Sequence, residues 1–152
     1  MSGHSRWSQI KRQKGVEDVK RGKEFSKLSK LISIAAKKGS GLESIVERAK
    51  AANMPKENIE RAIKRASEKG GELFEITIKA MTKNGTGLII DGITDNKNRT
   101  IQEIKTILAE YNAKMVEWIP DYPMPTYDNT KLLLEKLEEN DDIKEVRTNT
   151  GN

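Results

Sequence analysis

The 152-residue chain has no cysteine and a single histidine, His4. The missing cysteine removes disulfides, thiolate nucleophiles and cysteine-ligated zinc together. One histidine cannot build a multi-histidine metal site, and it leaves a Ser-His-Asp arrangement only His4 to work with. Aromatic residues make up just 5% of the chain, and apolar residues (35%) barely exceed charged ones (34%), so the core must be small. No run is long and apolar enough to span a membrane, and no apolar segment of a secretory signal follows the start. The expected compartment is the cytoplasm. Proline is scarce, and three of the four prolines crowd into Pro120–Pro125, which makes that stretch extended and not helical.

Positive charge is plentiful and unevenly placed. The formal net charge is +5, but residues 1–72 carry +9 and residues 73–152 carry −4. A basic front joined to a mildly acidic back points to a polyanionic partner for the front.

Gly70-Gly71 divides the chain into a basic helical domain, residues 1–71, and an α+β sandwich domain, residues 72–152. Residues 1–15 read as a flexible arm. Phe25, Leu28, Ile32 and Ala35 stack on one face of a helix running from about Gly22 to Lys38. Gly39-Ser40-Gly41 ends it, and Ser40 with Glu43 reads as a capping box for a second helix, closed by Asn53-Met54-Pro55. Ile59, Ala62, Ile63 and Ala66 stripe a third helix, with Pro55 at its start. Three short amphipathic helices make a small bundle.

Beyond the glycine pair the period changes. Phe74, Ile76, Ile78 and Ala80 alternate as a strand, Asn84-Gly85 signals a hairpin, and Leu88–Ile93 is the return strand. Thr100 and Glu103 form a second capping box, with Ile101, Ile104, Leu108 and Tyr111 striping the helix behind it. A short strand over Lys114–Ile119, a helix around Leu133, Leu134 and Leu137, and a strand over Ile143–Thr148 complete the order ββαβαβ. The expected fold class is α+β: an N-terminal three-helix bundle, then an α/β sandwich of about four strands with two helices on one face.

The candidate site is basic. On the first helix Lys20, Lys23, Lys27 and Lys30 fall within roughly an 80° sector, away from the apolar stripe. Side chains on adjacent turns stand about 5–6 Å apart, close to the spacing of phosphates along a strand. Arg21 and the arm residues Arg6, Lys11, Arg12 and Lys14 add charge. His4 and Trp7 are candidates for base or sugar contact. The plainer reading makes the lysines a wet helix face, and Trp7 with Ile10 a staple holding the arm to the bundle. On the third helix Glu57/Arg61 and Glu60/Lys64 sit at i,i+4 and read as a paired, solvated face.

Other candidates carry less. Gly85-Thr86-Gly87 lacks the third glycine and the following helix of a dinucleotide site. Asp91 and Asp95 have no partner histidine or metal set and read as non-catalytic. The Trp118/Tyr122/Met124/Tyr127 stretch reads as a buried strand-to-helix connection, the other reading being an exposed face for a protein partner.

Several blocks carry a resemblance. Gly3-His4-Ser5-Arg6-Trp7, Lys20-Arg21-Gly22-Lys23 with Phe25, Ala52-Asn53-Met54-Pro55-Lys56, Asn58–Ile63, and Asp95-Asn96 with Asn98-Arg99-Thr100 resemble, in order, the YebC family. That family includes PmpR-like regulators and the mitochondrial translational activator of cytochrome c oxidase. The resemblance implies a three-helix domain followed by α+β domains, and a non-enzymatic factor. Family members are described as DNA-binding transcriptional regulators and as ribosomal factors that help translation through stretches such as consecutive prolines. The chain departs from the pattern where Asn112-Ala113-Lys114 runs almost directly into Met115–Pro120, so the family's inserted third domain is expected to be missing. It departs again around Gly39-Ser40-Gly41, where the family's linker is longer. Ile78–Gly85 replaces the family's glycine-rich loop.

The expectation is therefore a ribosome- or RNA-associated translation factor that is not an enzyme. A DNA-binding transcriptional regulator and a protein-interaction module are the alternatives. The expected partners are ribosomal RNA or the ribosome, with DNA second, no membrane, and a monomeric chain. No cofactor and no metal are expected.

Overall fold

The computed structural model describes residues 17–69 and 71–150, with side chains from residue 21 onward. The described residues fall into two compact units, one ending at Phe74 and the other beginning at Glu75.

The first unit is helical. α1 spans Glu17–Lys38, α2 Leu42–Ala51 and α3 Lys56–Arg65. α2 and α3 both pack on α1. Leu28 and Ile32 of α1, Ala49 of α2, Met54, and Ile59 and Ala62 of α3 form the buried centre. The Ser33 hydroxyl, also buried, donates to the Ala62 carbonyl at 2.7 Å and pins α1 to α3.

The connections follow from residues that tolerate positive φ. Gly39 (φ 76°) and Gly41 (φ 78°) turn the chain between α1 and α2. This corrects the expected cap: Gly41, not Ser40, stands at the N-cap, and no side chain caps α2. The double-glycine turn leaves the Ser40 hydroxyl one residue too early. At the far end of α2, Asn53 adopts φ 65°, its N–H donates to the Lys50 carbonyl, and the Met54 N–H donates to the Ala49 carbonyl, both at 2.9 Å. This is a Schellman closure with asparagine in the left-handed position. It drops Met54 into the core and starts α3 at once behind Pro55.

The second unit is a four-stranded antiparallel sheet with two helices on one face, the α+β arrangement expected. β1 spans Phe74–Thr82, β2 Gly87–Thr94, α4 Lys97–Glu110, β3 Ala113–Met115, α5 Asp128–Glu138 and β4 Ile143–Thr148. The strand order is β3-β1-β2-β4. Ile78 and Ala80 of β1, Leu88 and Ile90 of β2 and Val146 of β4 point to the face that Ile104 and Leu108 of α4 and Leu133 and Leu137 of α5 cover.

The β1–β2 turn is the one that Asn84-Gly85 signals. The Gly85 N–H donates to the Thr82 carbonyl at 3.0 Å and Gly85 has φ 92°, a type I turn followed by a left-handed glycine.

α1 begins at Glu17, ahead of the expected start near Gly22, and two boundaries of the second unit also move from the sequence expectation. α4 starts three residues before Thr100, because the Asn96 side chain accepts the Arg99 N–H at 3.1 Å and caps the helix. β3 is three residues long instead of six. After Met115 one more bond holds, from the Val116 N–H to the Lys79 carbonyl at 2.8 Å, and the chain then leaves the sheet.

Residues 116–127 alone join β3 to α5, so the inserted domain that the resemblance brings has no counterpart there. This connection straps the end of the sheet. A side chain at Gly87 would collide with Ile119, and the Met124 N–H donates to the Asn149 carbonyl at 2.8 Å. The strap's aromatics are not buried as expected: Trp118 is 71% exposed, and Tyr122 and Tyr127 are also exposed. Ile119 and Met124 do the anchoring, which leaves the rings outside.

Candidate nucleic-acid interface

Of the residues singled out from the sequence, His4, Arg6, Trp7, Lys11, Arg12 and Lys14 lie outside the described residues. Lys20 belongs to α1 by its backbone, and its side chain is outside the described set. Arg21 is exposed, and Lys23 and Lys30 are half-buried. Lys27 is buried, with 8% of its surface accessible.

Among the described lysines of α1, Lys27 is thus covered where a helical wheel leaves it open. α1 is the central helix of its unit. It buries Leu28, Ile32 and Ala35 on the apolar side and also Lys27 and Ser33 on other sides. A wheel shows the apolar stripe alone; burial outside that stripe depends on what the rest of the fold lays against the helix.

A second basic feature lies on α3. Arg61 and Arg65 sit one turn apart, and Lys69 follows four residues later, in the turns that continue from the helix. With Ser29 of α1, Glu68 and Gly71 they line a surface hollow of about 370 Å³. Arg61 and Lys69 are exposed and Arg65 is half-buried. Among the described residues no ion pair within 4.0 Å joins Glu57 to Arg61 or Glu60 to Lys64, so the paired ladder expected on α3 is not formed. Gly71 lets the chain fold back closely: a Cβ there would stand 3.1 Å from the Arg65 carbonyl oxygen and 3.2 Å from its Cγ. The sequence carried the signal, three cations at i, i+4 and i+8, but the intervening acids pointed to pairing.

The charges of the sheet unit are arranged differently. Arg99 Nη2 lies 2.8 Å from Asp142 Oδ2 and 2.9 Å from Asp95 Oδ1. Its pKa is raised above the ordinary arginine value, first by the hydrogen bond to Asp142 and then by that to Asp95. The buried Thr100 hydroxyl donates to the same Asp142 oxygen at 2.7 Å. The block Asp95–Thr100 thus ties the end of β2 and the start of α4 to the turn before β4. Asp91 accepts from the Thr77 hydroxyl at 2.8 Å and from Arg147 Nη2 at 3.0 Å. Both aspartates weighed as an acid–base pair are held in separate ion pairs. Among the described residues, no cluster of three or more His, Cys, Asp or Glu could hold a metal ion. No helix among them is long and apolar enough to cross a membrane.

Comparison with known proteins agrees with the family blocks. A profile of the TACO1/YebC protein N-terminal domain matches residues 5–69, and one of the TACO1/YebC second and third domain matches residues 73–120. A probable transcriptional regulatory protein of Borrelia hermsii is 48% identical over 124 residues, covering 76% of this chain and 51% of the relative. One from Petrotoga mobilis is 39% identical over 176 residues, covering 97% of this chain and 70% of the relative. The chain spans about half the length of the Borrelia relatives it matches. The crystal structure of a conserved hypothetical protein from Aquifex aeolicus shares the fold, with a TM-score of 0.82 at 23% identity over 96% of each chain. With both domain profiles matched in order and a relative that aligns with 97% of its residues, this chain belongs to the TACO1/YebC family.

Proposed function

We propose that the protein is a non-enzymatic, cytoplasmic nucleic-acid-binding factor that acts on RNA at the ribosome and helps elongation through difficult stretches such as consecutive prolines. The observation that carries this reading is the charge division: +9 over residues 1–72 against −4 over residues 73–152. A surface of that sign gathers phosphates and gives binding that falls steeply with salt. Phosphate contacts position a protein without reading sequence, so selectivity would come from RNA shape.

The second reading is a DNA-binding transcriptional regulator. It is favoured by the names of the relatives from Borrelia hermsii and Petrotoga mobilis, each a probable transcriptional regulatory protein. Against it, α3 carries no exposed Asn/Gln cluster of the kind that reads base edges. Co-sedimentation with purified ribosomes across a salt series, with duplex DNA competing, separates the two. Retention at physiological salt against excess DNA is the expected result. Release by DNA at equal phosphate concentration would sink the ribosomal reading and bring transcription forward.

A further inference from the structure

We infer that the hollow between α1 and α3 is a phosphodiester-binding site, with Arg61, Arg65 and Lys69 as its cations and the Ser29 hydroxyl as a neutral donor. The inference rests on the nucleic-acid reading above and moves its seat from the α1 lysines to α3.

Four observations converge. The three cations line one hollow. Among the described residues none of the three has a carboxylate within 4.0 Å, so no internal ion pair must break before a ligand is met. The volume, about 370 Å³, is that of a small-ligand site and accepts a phosphate with its sugar. Gly71, where a Cβ would crowd the Arg65 carbonyl and Cγ, lets the chain pass close to the half-buried Arg65.

The chemistry selects phosphate. Two arginines offer planar forks that match phosphate oxygens bidentately, and Lys69 adds a point charge. Arg61 and Arg65 are one helical turn apart, a rise of about 6 Å that suits successive phosphates of one strand, and Lys69 follows in the turns beyond the helix. Glu68, the one acid of the lining, repels a carboxylate peptide or a phosphate placed against it, and so confines the anion to the arginine side.

The test is a salt titration of binding by the full chain, with labelled single-stranded RNA and labelled duplex DNA of equal phosphate number as probes. The R61Q/R65Q/K69Q variant is compared with wild type and with K23Q/K30Q. The slope of log affinity against log salt is expected to fall in magnitude by about 2 on single-stranded RNA and about 3 on duplex DNA for the α3 variant. The α1 variant should fall by less. Loss in the RNA arm alone names RNA as the source of the phosphate, loss in both names either backbone, and each supports the site. A folded α3 variant with the wild-type slope overturns the site and leaves the proposed function standing. Absence of any binding by wild type at low salt overturns both. Should the triple variant fail to fold, R61Q and K69Q made singly at exposed positions carry the same test, each expected to remove about 0.7–0.9 from the slope.

Discussion

The two units of this protein use their described arginines in opposite ways. In the sheet unit, arginines are engaged internally: Arg99 with Asp142 and Asp95, Arg147 with Asp91 and Glu145. In the helical unit Arg61, Arg65 and Lys69 line a surface hollow with no carboxylate within 4.0 Å among the described residues. An arginine tied to a carboxylate of its own fold holds secondary structure together. One without such a partner keeps its donors for something outside. On the function proposed above, this contrast points to the helical unit as the part that would meet a polyanion, more sharply than the net charge of either half.

This contrast can be broken by separating stability from binding. The largest effect is expected from Leu133→Ala, at a fully buried position of the sheet core, which should cost about 2–5 kcal/mol in urea unfolding. RNA affinity of the protein that remains folded should not change; a parallel loss of affinity would mean that the sheet unit takes part in binding. Asp142→Ala comes next. It removes the buried acceptor of the Thr100 hydroxyl and should cost about 1–3 kcal/mol, measured as a lowered urea midpoint with affinity unchanged. Asn96→Ala removes the cap of α4 and should cost about 1 kcal/mol by the same measurement.

The reverse arm is R61Q/R65Q/K69Q, whose urea midpoint should stay within about 0.5 kcal/mol of wild type while its binding falls. A large destabilisation would show that these cations serve the fold, and the contrast between the units would collapse. The smallest effect is expected from Gly71→Ala. It keeps every charge and pushes on the Arg65 stem, so affinity should fall by roughly twofold to fivefold with an unchanged salt slope. An altered slope would mean that the change reaches beyond geometry.

Much of the architecture was legible along the chain. Apolar spacing placed the five helices of the described residues, alternation placed β1, the Asn84-Gly85 hairpin signal placed β2, and Ile143–Thr148 is the strand expected there. These signals are local, because the period of a helix or a strand is set by its own backbone. The errors came where a residue's partner is distant in sequence. Thr100 reads as a cap by its neighbour at position 103, yet its hydroxyl is taken by Asp142, and Asn96 caps instead. The strap after β3 reads as buried because it is aromatic, yet Ile119 and Met124 hold it and Trp118 stays outside.

The candidate site shows the same division. The sequence by itself determined that the front of the chain is basic, which cations share a helix, and that disulfide, thiolate and multi-histidine chemistry are absent. Only the tertiary structure decided which of those cations reach solvent. Lys27 lies on the expected basic face of α1 but is buried. Arg61 has Glu57 one turn before it, yet it lines the hollow with Ser29 of another helix. A helical wheel fixes the angle of each side chain about its own axis; which angles are covered depends on the neighbours, and those are chosen by packing far along the chain.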